Sequence, residues 1–280
     1  MLKDILVCLE GSSSSEAATR IAIELGRAFE ARLAGLAIID EPDIRAGTMT
    51  GIGGATYKHE RDVVLLADAH KQADDWVALF DRRCREGGVT GAQTLEVVGR
   101  PAESILAHMK THDLTVMGKD ANFRFETEGD DVQTREAILH RASGPLLLVP
   151  ETAVSIVGKV TLVAYDGSGA AKRALASFAA SGLAGRAEVH VATADDSGVV
   201  AREMAERGVG LLREAGVAAR AHNIVSTLPN AEALFELAHQ LRADLMVMGA
   251  FAHSRIKHLF HASVTRGLVE QTSIPLYLQH

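Results

Sequence analysis

The stretch with the clearest chemical potential lies near the C-terminus. An apolar run, Asp244-Leu245-Met246-Val247-Met248, stops at Gly249, and the small-residue turn Ala250-Phe251-Ala252 follows. Between Ala250 and Ser263 the chain carries Arg255 and Lys257 and no carboxylate. Ala262-Ser263-Val264-Thr265-Arg266 then stands where a helix could begin. A strand ending in a tight turn beside helix N-termini offers backbone N–H groups and positive dipole ends to an anion. The expected chemistry is therefore capture of a phosphate or similar anion. Ser263 and Thr265 suit hydroxyl donors to that anion, and they equally suit helix capping. His253, His258 and His261 have no Cys or carboxylate close in sequence, so they read as surface or phosphate-facing histidines rather than metal ligands.

Composition narrows the class. The chain has 280 residues, enough for about two domains. A net charge of -7 argues against wholesale binding to nucleic acid or to an anionic membrane, so any anion site must be locally basic. Cys8 and Cys84 offer no disulfide framework, and Cys8 sits in an apolar run as a small buried hydrophobe. Met1-Leu2-Lys3-Asp4 lacks the apolar region of a signal peptide, and no apolar stretch reaches transmembrane length. The expectation is a soluble, cytoplasmic protein.

The elements that must position the loop alternate between strand and helix. Ile5-Leu6-Val7-Cys8-Leu9 is a continuous apolar run that suits a strand buried on both faces. Ala17, Ala18, Ile21, Ala22 and Leu25 recur at helical spacing up to about Phe29, and Leu33 to Ile39 is a second strand. Asp40 to about Tyr57 reads as a Gly/Thr-rich loop, and Gly51-Ile52-Gly53-Gly54 lacks the strand-to-helix setting of a phosphate cradle. Lys58 to Glu86 predicts a long helix with an apolar stripe of Val63, Leu66, Ala67, His70, Ala73, Trp76, Val77 and Phe80. Strands at Thr94 to Val98, Asp113 to Gly118 and Leu146 to Val149 follow, with helices after Pro101 and around Val132 to Ala142. Such alternation means a parallel sheet flanked by helices.

The pattern then restarts. Val160 to Ser168 matches Asp4 to Ser12 at an offset of 156, and Asp244 to Gly249 matches Asp113 to Gly118 at 131. This is duplication of a whole domain, giving units at 1–151 and 158–280 joined by a short linker.

Two copies of an apolar strand, an acidic-Gly-Ser turn, a helix and then Asp-Leu-x-Val-Met-Gly resemble the universal stress protein family in its tandem form. The likeness extends over nearly the whole chain, and Val247-Met248-Gly249-Ala250 with His253-Ser254-Arg255 and Ser263 to Arg266 carries it most specifically. It implies two Rossmann-like domains, of the kind termed nucleotide α-hydrolase-like. Each would be a five-stranded parallel sheet of order 3-2-1-4-5 with helices on both faces. It also implies ATP, ADP or AMP as ligand, with or without Mg2+, held by a loop of Gly, two residues, Gly, nine residues, Gly, then Ser or Thr. On that pattern Gly249 matches the first glycine, Ala252 and Ala262 replace the next two, and Ser263 keeps the hydroxyl. Each alanine retains its N–H but adds a Cβ on the phosphate path. The nucleotide contacts carried over are Ala164, Tyr165, Asp166, Gly167, Ser168, Val191, Met248, Gly249, Ala252, His253, Arg255, Ala262, Ser263, Val264 and Thr265. Asp166 would serve the nucleoside side, in the crevice where strand order reverses.

The first half departs from that pattern. Glu10 replaces the Asp, and Glu126, Glu128, Asp130 and Asp131 crowd the loop after Gly118, with Val132 and Gln133 where Ala262 and Ser263 stand in the second. Like charge would repel a polyphosphate there, so one site per chain is expected. The acidic loop reads as solvated, with a divalent ion as the alternative. No Ser/His/Asp arrangement, Gly-x-Ser-x-Gly turn, H-E-x-x-H or paired-Cys zinc site is legible, so no catalytic residue is named. Three functions remain open: a nucleotide-responsive regulatory module of the stress response, a tandem regulatory protein that binds no nucleotide, and a weak ATPase. In the family the fifth strands often pair. Here Pro145 to Val149 would pair with Pro275 to Leu278 to make a pseudo-dimer within one chain, with a further homodimer open.

Overall fold

The computed structural model describes residues 1–46, 55–124, 132–225, 230–250, 269 and 272–280. In the first half β1 (Asp4–Leu9), α1 (Ser13–Phe29), β2 (Arg32–Ile39), α2 (Glu41–Ala46) and α3 (Ala55–Glu86) come in turn. They are followed by β3 (Gln93–Val98), α4 (Pro101–Met109), β4 (Leu114–Gly118), α5 (Val132–Arg141) and β5 (Leu146–Val149). The second half runs β6 (Val160–Ala164), α6 (Gly169–Ser181), β7 (Glu188–Asp195), α7 (Gly198–Glu214), β8 (Ala219–Val225), α8 (Asn230–Leu241), β9 (Leu245–Gly249) and β10 (Leu276–Gln279).

Among the described residues these strands form one ten-stranded sheet of order β3-β2-β1-β4-β5-β10-β9-β6-β7-β8. Each half therefore has the expected 3-2-1-4-5 order, with all neighbours inside a half parallel. The halves meet where β5 and β10 pair antiparallel, Leu147 opposite Tyr277. The result is a single mixed sheet rather than two wholly parallel ones.

The continuous apolar strands are explained by burial on both faces. Along β1, Ile5, Val7 and Leu9 enter one core, while Leu6 and Cys8 enter the other. The first core lies beneath α1, α3, α6 and α7, and the second beneath α4, α5 and α8. Both cores cross the seam, so neither half has a core of its own.

Local signals set the helix ends. Ser12 caps α1 by accepting from the Ser15 N–H at 3.1 Å, and Ser168 caps α6 by accepting from the Ala171 N–H at 3.1 Å. The two caps stand 156 residues apart, so the duplication preserved them. Gly182 ends α6 with φ +86°, a left-handed conformation suited to glycine.

Two sequence expectations need correction. The stretch after Asp40 is not all loop: α2 forms where the Asp40 carboxylate accepts from the Asp43 N–H at 3.1 Å. Arg45 and Glu41, one turn apart, add an ion pair at 2.6 Å. Gly51 to Gly54 lie outside the described residues. The buried stripe of α3 runs through Asp62, Ala69, Ala73, Phe80 and Cys84, while Val63, Ala67 and His70 are exposed. Val63-Val64-Leu65-Leu66 offers apolar residues to every side, so helical period alone left the phase open at that end. His70 instead reaches Glu96 on β3 at 2.8 Å.

Candidate functional site

Parallel pairing of β6 with β9, Ala164 opposite Met248, brings the ends of both strands together. The chain then leaves β6 through Tyr165, Asp166 and Gly167 to Ser168, the cap of α6. This is the crevice in which an open parallel sheet of this order binds ligands.

Asp166 is only 2% exposed. Its Oδ1 accepts from the Ser168 N–H at 2.9 Å, which shapes the turn. Its Oδ2 is buried and, among the described residues, has no hydrogen-bond partner. A buried acceptor without a donor carries a desolvation cost of about 1–3 kcal/mol, and more when charged. A ligand N–H or O–H would relieve it. Gly167 is held at φ +74°, where a Cβ would also strike the Met204 sulfur at 2.5 Å.

Gly249 has a structural reason of its own. A Cβ there would run into the Ala171 N–H and stand 2.6 Å from the Ala170 carbonyl carbon, because the first turn of α6 lies on the end of β9. Gly118 is constrained in the same way, 2.8 Å from the backbone of Ser14. Both glycines let a helix N-terminus sit against the neighbouring strand, and that brings the first-turn N–H groups of α6 to the crevice.

The other named residues divide into three groups. Ala164 and Met248 are buried, Met248 in the core beneath α8. Tyr165 and Val191 lie fully buried on the opposite face, under Gly208 of α7, where a Cβ would come within 2.8 Å of Val191 and 3.0 Å of Tyr165. Burial raises the Tyr165 phenol above its ordinary 10.0, with Asp166 adding to the rise and Arg207 opposing it. The backbone of Tyr165 is fixed by Thr193 and Ala192, at 2.6 and 2.9 Å. Ala252, His253, Arg255, Ala262, Ser263, Val264 and Thr265 lie outside the described residues.

At the matching place in the first half the carboxylate is engaged by its neighbours. Glu10 occupies the position of Asp166 and is 8% exposed. Its Oε1 accepts from the Ser12 hydroxyl, and its Oε2 accepts from the Asn122 N–H at 3.4 Å. Ser14 Oγ accepts from the Asp120 N–H at 3.3 Å. Phe123 and Ala121 are buried in the core below. Burial raises the Glu10 carboxyl above its ordinary 4.5, while the bonds from Ser12 and Asn122 pull the other way. Sequence reasoning named the Glu-for-Asp exchange but missed Asn122, which joins Glu10 only through the fold, 112 residues away. The acidic residues Glu126, Glu128, Asp130 and Asp131 lie outside the described residues. Among the described residues, no group of three His, Cys, Asp or Glu side chains is arranged to hold a metal ion.

The arrangement suits binding. The second-half crevice combines an unpaired buried acceptor with helix N–H donors, so it can accept from a base or ribose and donate to an anion.

Comparison with known proteins agrees with the fold. The model of the universal stress protein family matches residues 1–150 and again 159–279. A universal stress protein of Synechocystis sp. is 24% identical, over 98% of this chain and 99% of its own. Among solved structures, a universal stress protein from Archaeoglobus fulgidus superposes with a TM-score of 0.71 at 15% identity, covering 99% of this chain and 97% of that one. A protein of unknown function from Pseudomonas aeruginosa gives 0.54 at 15% identity, over 99% and 92%. At these identities the two structures speak for the fold alone. With both halves matched by the family model, the chain belongs to the universal stress protein family.

Proposed function

We propose that the second-half crevice binds one adenine nucleotide per chain, ATP, ADP or AMP, and that occupancy regulates a signalling role in the stress response. The observation that carries this reading is the buried, unpartnered Oδ2 of Asp166, set against the fully engaged carboxylate of Glu10. Asp166 accepts from the nucleoside, and the N-terminus of α6 faces the phosphates. Gly249, Ser263 and Thr265 are the proposed phosphate donors, with Arg255 and His253 as local positive charge. Any Mg2+ enters on the phosphates.

Nucleotide that binds only the folded state stabilises it by mass action, by about 2.7 kcal/mol at a hundredfold excess over Kd, and so raises the melting temperature. Thermal unfolding in millimolar ATP, ADP and AMP tests the proposal. A rise with at least one nucleotide, absent in Asp166→Ala, supports it. No rise with any of the three overturns it.

A further inference from the structure

Outside the nucleotide crevice, the first half has a cavity of about 270 Å³ between α1 and α3. Leu9 and Phe80 form its floor and Ile23 one wall. Trp76, the single tryptophan of the chain, forms the facing wall. Arg20 and Arg83 line it from the two helices. Glu16 is the one carboxylate among the lining residues and meets Arg83 at a loose 3.9 Å. Among the described residues Arg20 bonds the Ala153 carbonyl through one nitrogen at 3.3 Å, and a guanidinium carries five N–H donors in all.

The duplication supplies an internal comparison. The second half has a groove at the equivalent place between α6 and α7. There Ala176 stands 156 residues after Arg20, and Ala179 stands 156 after Ile23. A gap between these helices is thus a property of the fold, but only the first half lines it with an aromatic wall and two guanidinium groups. Trp76 is seated by a specific backbone feature as well. Gly11 lies directly beneath its indole nitrogen at φ +82°, where any Cβ would collide with the ring.

We propose that this cavity is a binding site for a small aromatic carboxylate. The flat apolar body rests on Trp76 above Leu9 and Phe80, and the carboxylate meets Arg20 and Arg83. Aromatic faces favour offset or edge-on contact with another ring. Guanidinium groups match the planar, two-oxygen geometry of a carboxylate. The volume falls just below the roughly 300–1,000 Å³ of drug-sized ligand pockets, which fits a small metabolite rather than a cofactor.

The test uses the full chain and 2-naphthoate as the probe, with 2-naphthamide as its uncharged counterpart. One tryptophan gives one indole N–H signal in a proton–nitrogen NMR spectrum, so site occupancy and folding are read together. The expected result is a saturable shift of the Trp76 signal by naphthoate. Charged hydrogen bonds of about 1.5–3 kcal/mol make binding weaker by at least about tenfold for naphthamide, and for the Arg20→Ala/Arg83→Ala variant with naphthoate. Arg20 is exposed and the Arg83 side chain is 41% exposed, and a dispersed spectrum verifies that the variant folds; Arg20→Gln alone, expected to weaken binding in the same direction, serves if it does not. No saturable shift, or equal binding of acid and amide, overturns the proposal. Undiminished binding by a folded arginine variant overturns it too.

Discussion

Asp166 and Glu10 stand 156 residues apart on equivalent turns, and one methylene separates them chemically. The longer side chain reaches the Ser12 hydroxyl and the Asn122 N–H, whereas the shorter one spends one oxygen on its own turn and leaves the other bare. That difference was half legible in the sequence. The exchange of residue type was visible, but Asn122 carries no mark of its partnership because the contact is made by the fold. The Glu10 environment makes a prediction about acidity. Its folded carboxyl holds its proton above the ordinary 4.5, chiefly because it is buried. The native state therefore binds more protons than the unfolded state just above that value, and this residue's contribution to stability declines as pH rises through the folded value. Glu10→Gln should remove that segment from the stability profile. Urea unfolding of both proteins from pH 4.5 upward checks it, and parallel profiles would contradict it.

Strands β1, β2, β4, β5, β6 and β9 were legible because each buries a continuous apolar run, and α1 because it buries a helical stripe. The phase of α3 was not, since apolar residues surround its N-terminal end. Neither was α2, a short helix in a stretch dominated by Gly and Thr. Nothing in the periodicity of α1 or α3 reveals that a cavity remains between them. The contact of α6 with β9 yields a direct test of the two reasons for Gly249. Gly249→Val should lower stability without any ligand, by about 1–3 kcal/mol as overpacked sites do, and Gly118→Val should do likewise. A glycine needed only for a ligand would leave the free protein unchanged in urea unfolding. At the exposed edge strand β8, His222 lies 2.8 Å from His190 of β7 and close to Arg220. Burial first, then those two neighbours, lower its pKa below the ordinary 6.5. The unfolded chain then takes up the proton more readily, so stability present above pH 6.5 is lost as pH falls through the folded value. His222→Gln should flatten that part of the curve, and an unaltered curve would contradict the assignment.

At the scale of the molecule, the duplication supplies two equivalent frames and the seam fuses them. Tyr277 is fully buried there, edge-on to Phe178 at 5.9 Å and bonded to Ser177 at 3.2 Å, and burial pushes its phenol up to about 12. Tyr277→Ala should cost about 3–5 kcal/mol, as large aromatic truncations do. Because both cores cross the seam, unfolding should stay a single transition by fluorescence and circular dichroism. Two separated transitions would show that the halves are independent. Within that common frame the described residues of the two crevices differ at Asp166, whose Oδ2 has no partner among them, and Glu10, whose two oxygens are both engaged. Calorimetric titration of the full chain with ATP and ADP tests this most directly. The account predicts one nucleotide per chain for whichever binds, lost in Asp166→Ala and retained in Glu10→Gln. Two nucleotides per chain, or binding indifferent to Asp166, would contradict it.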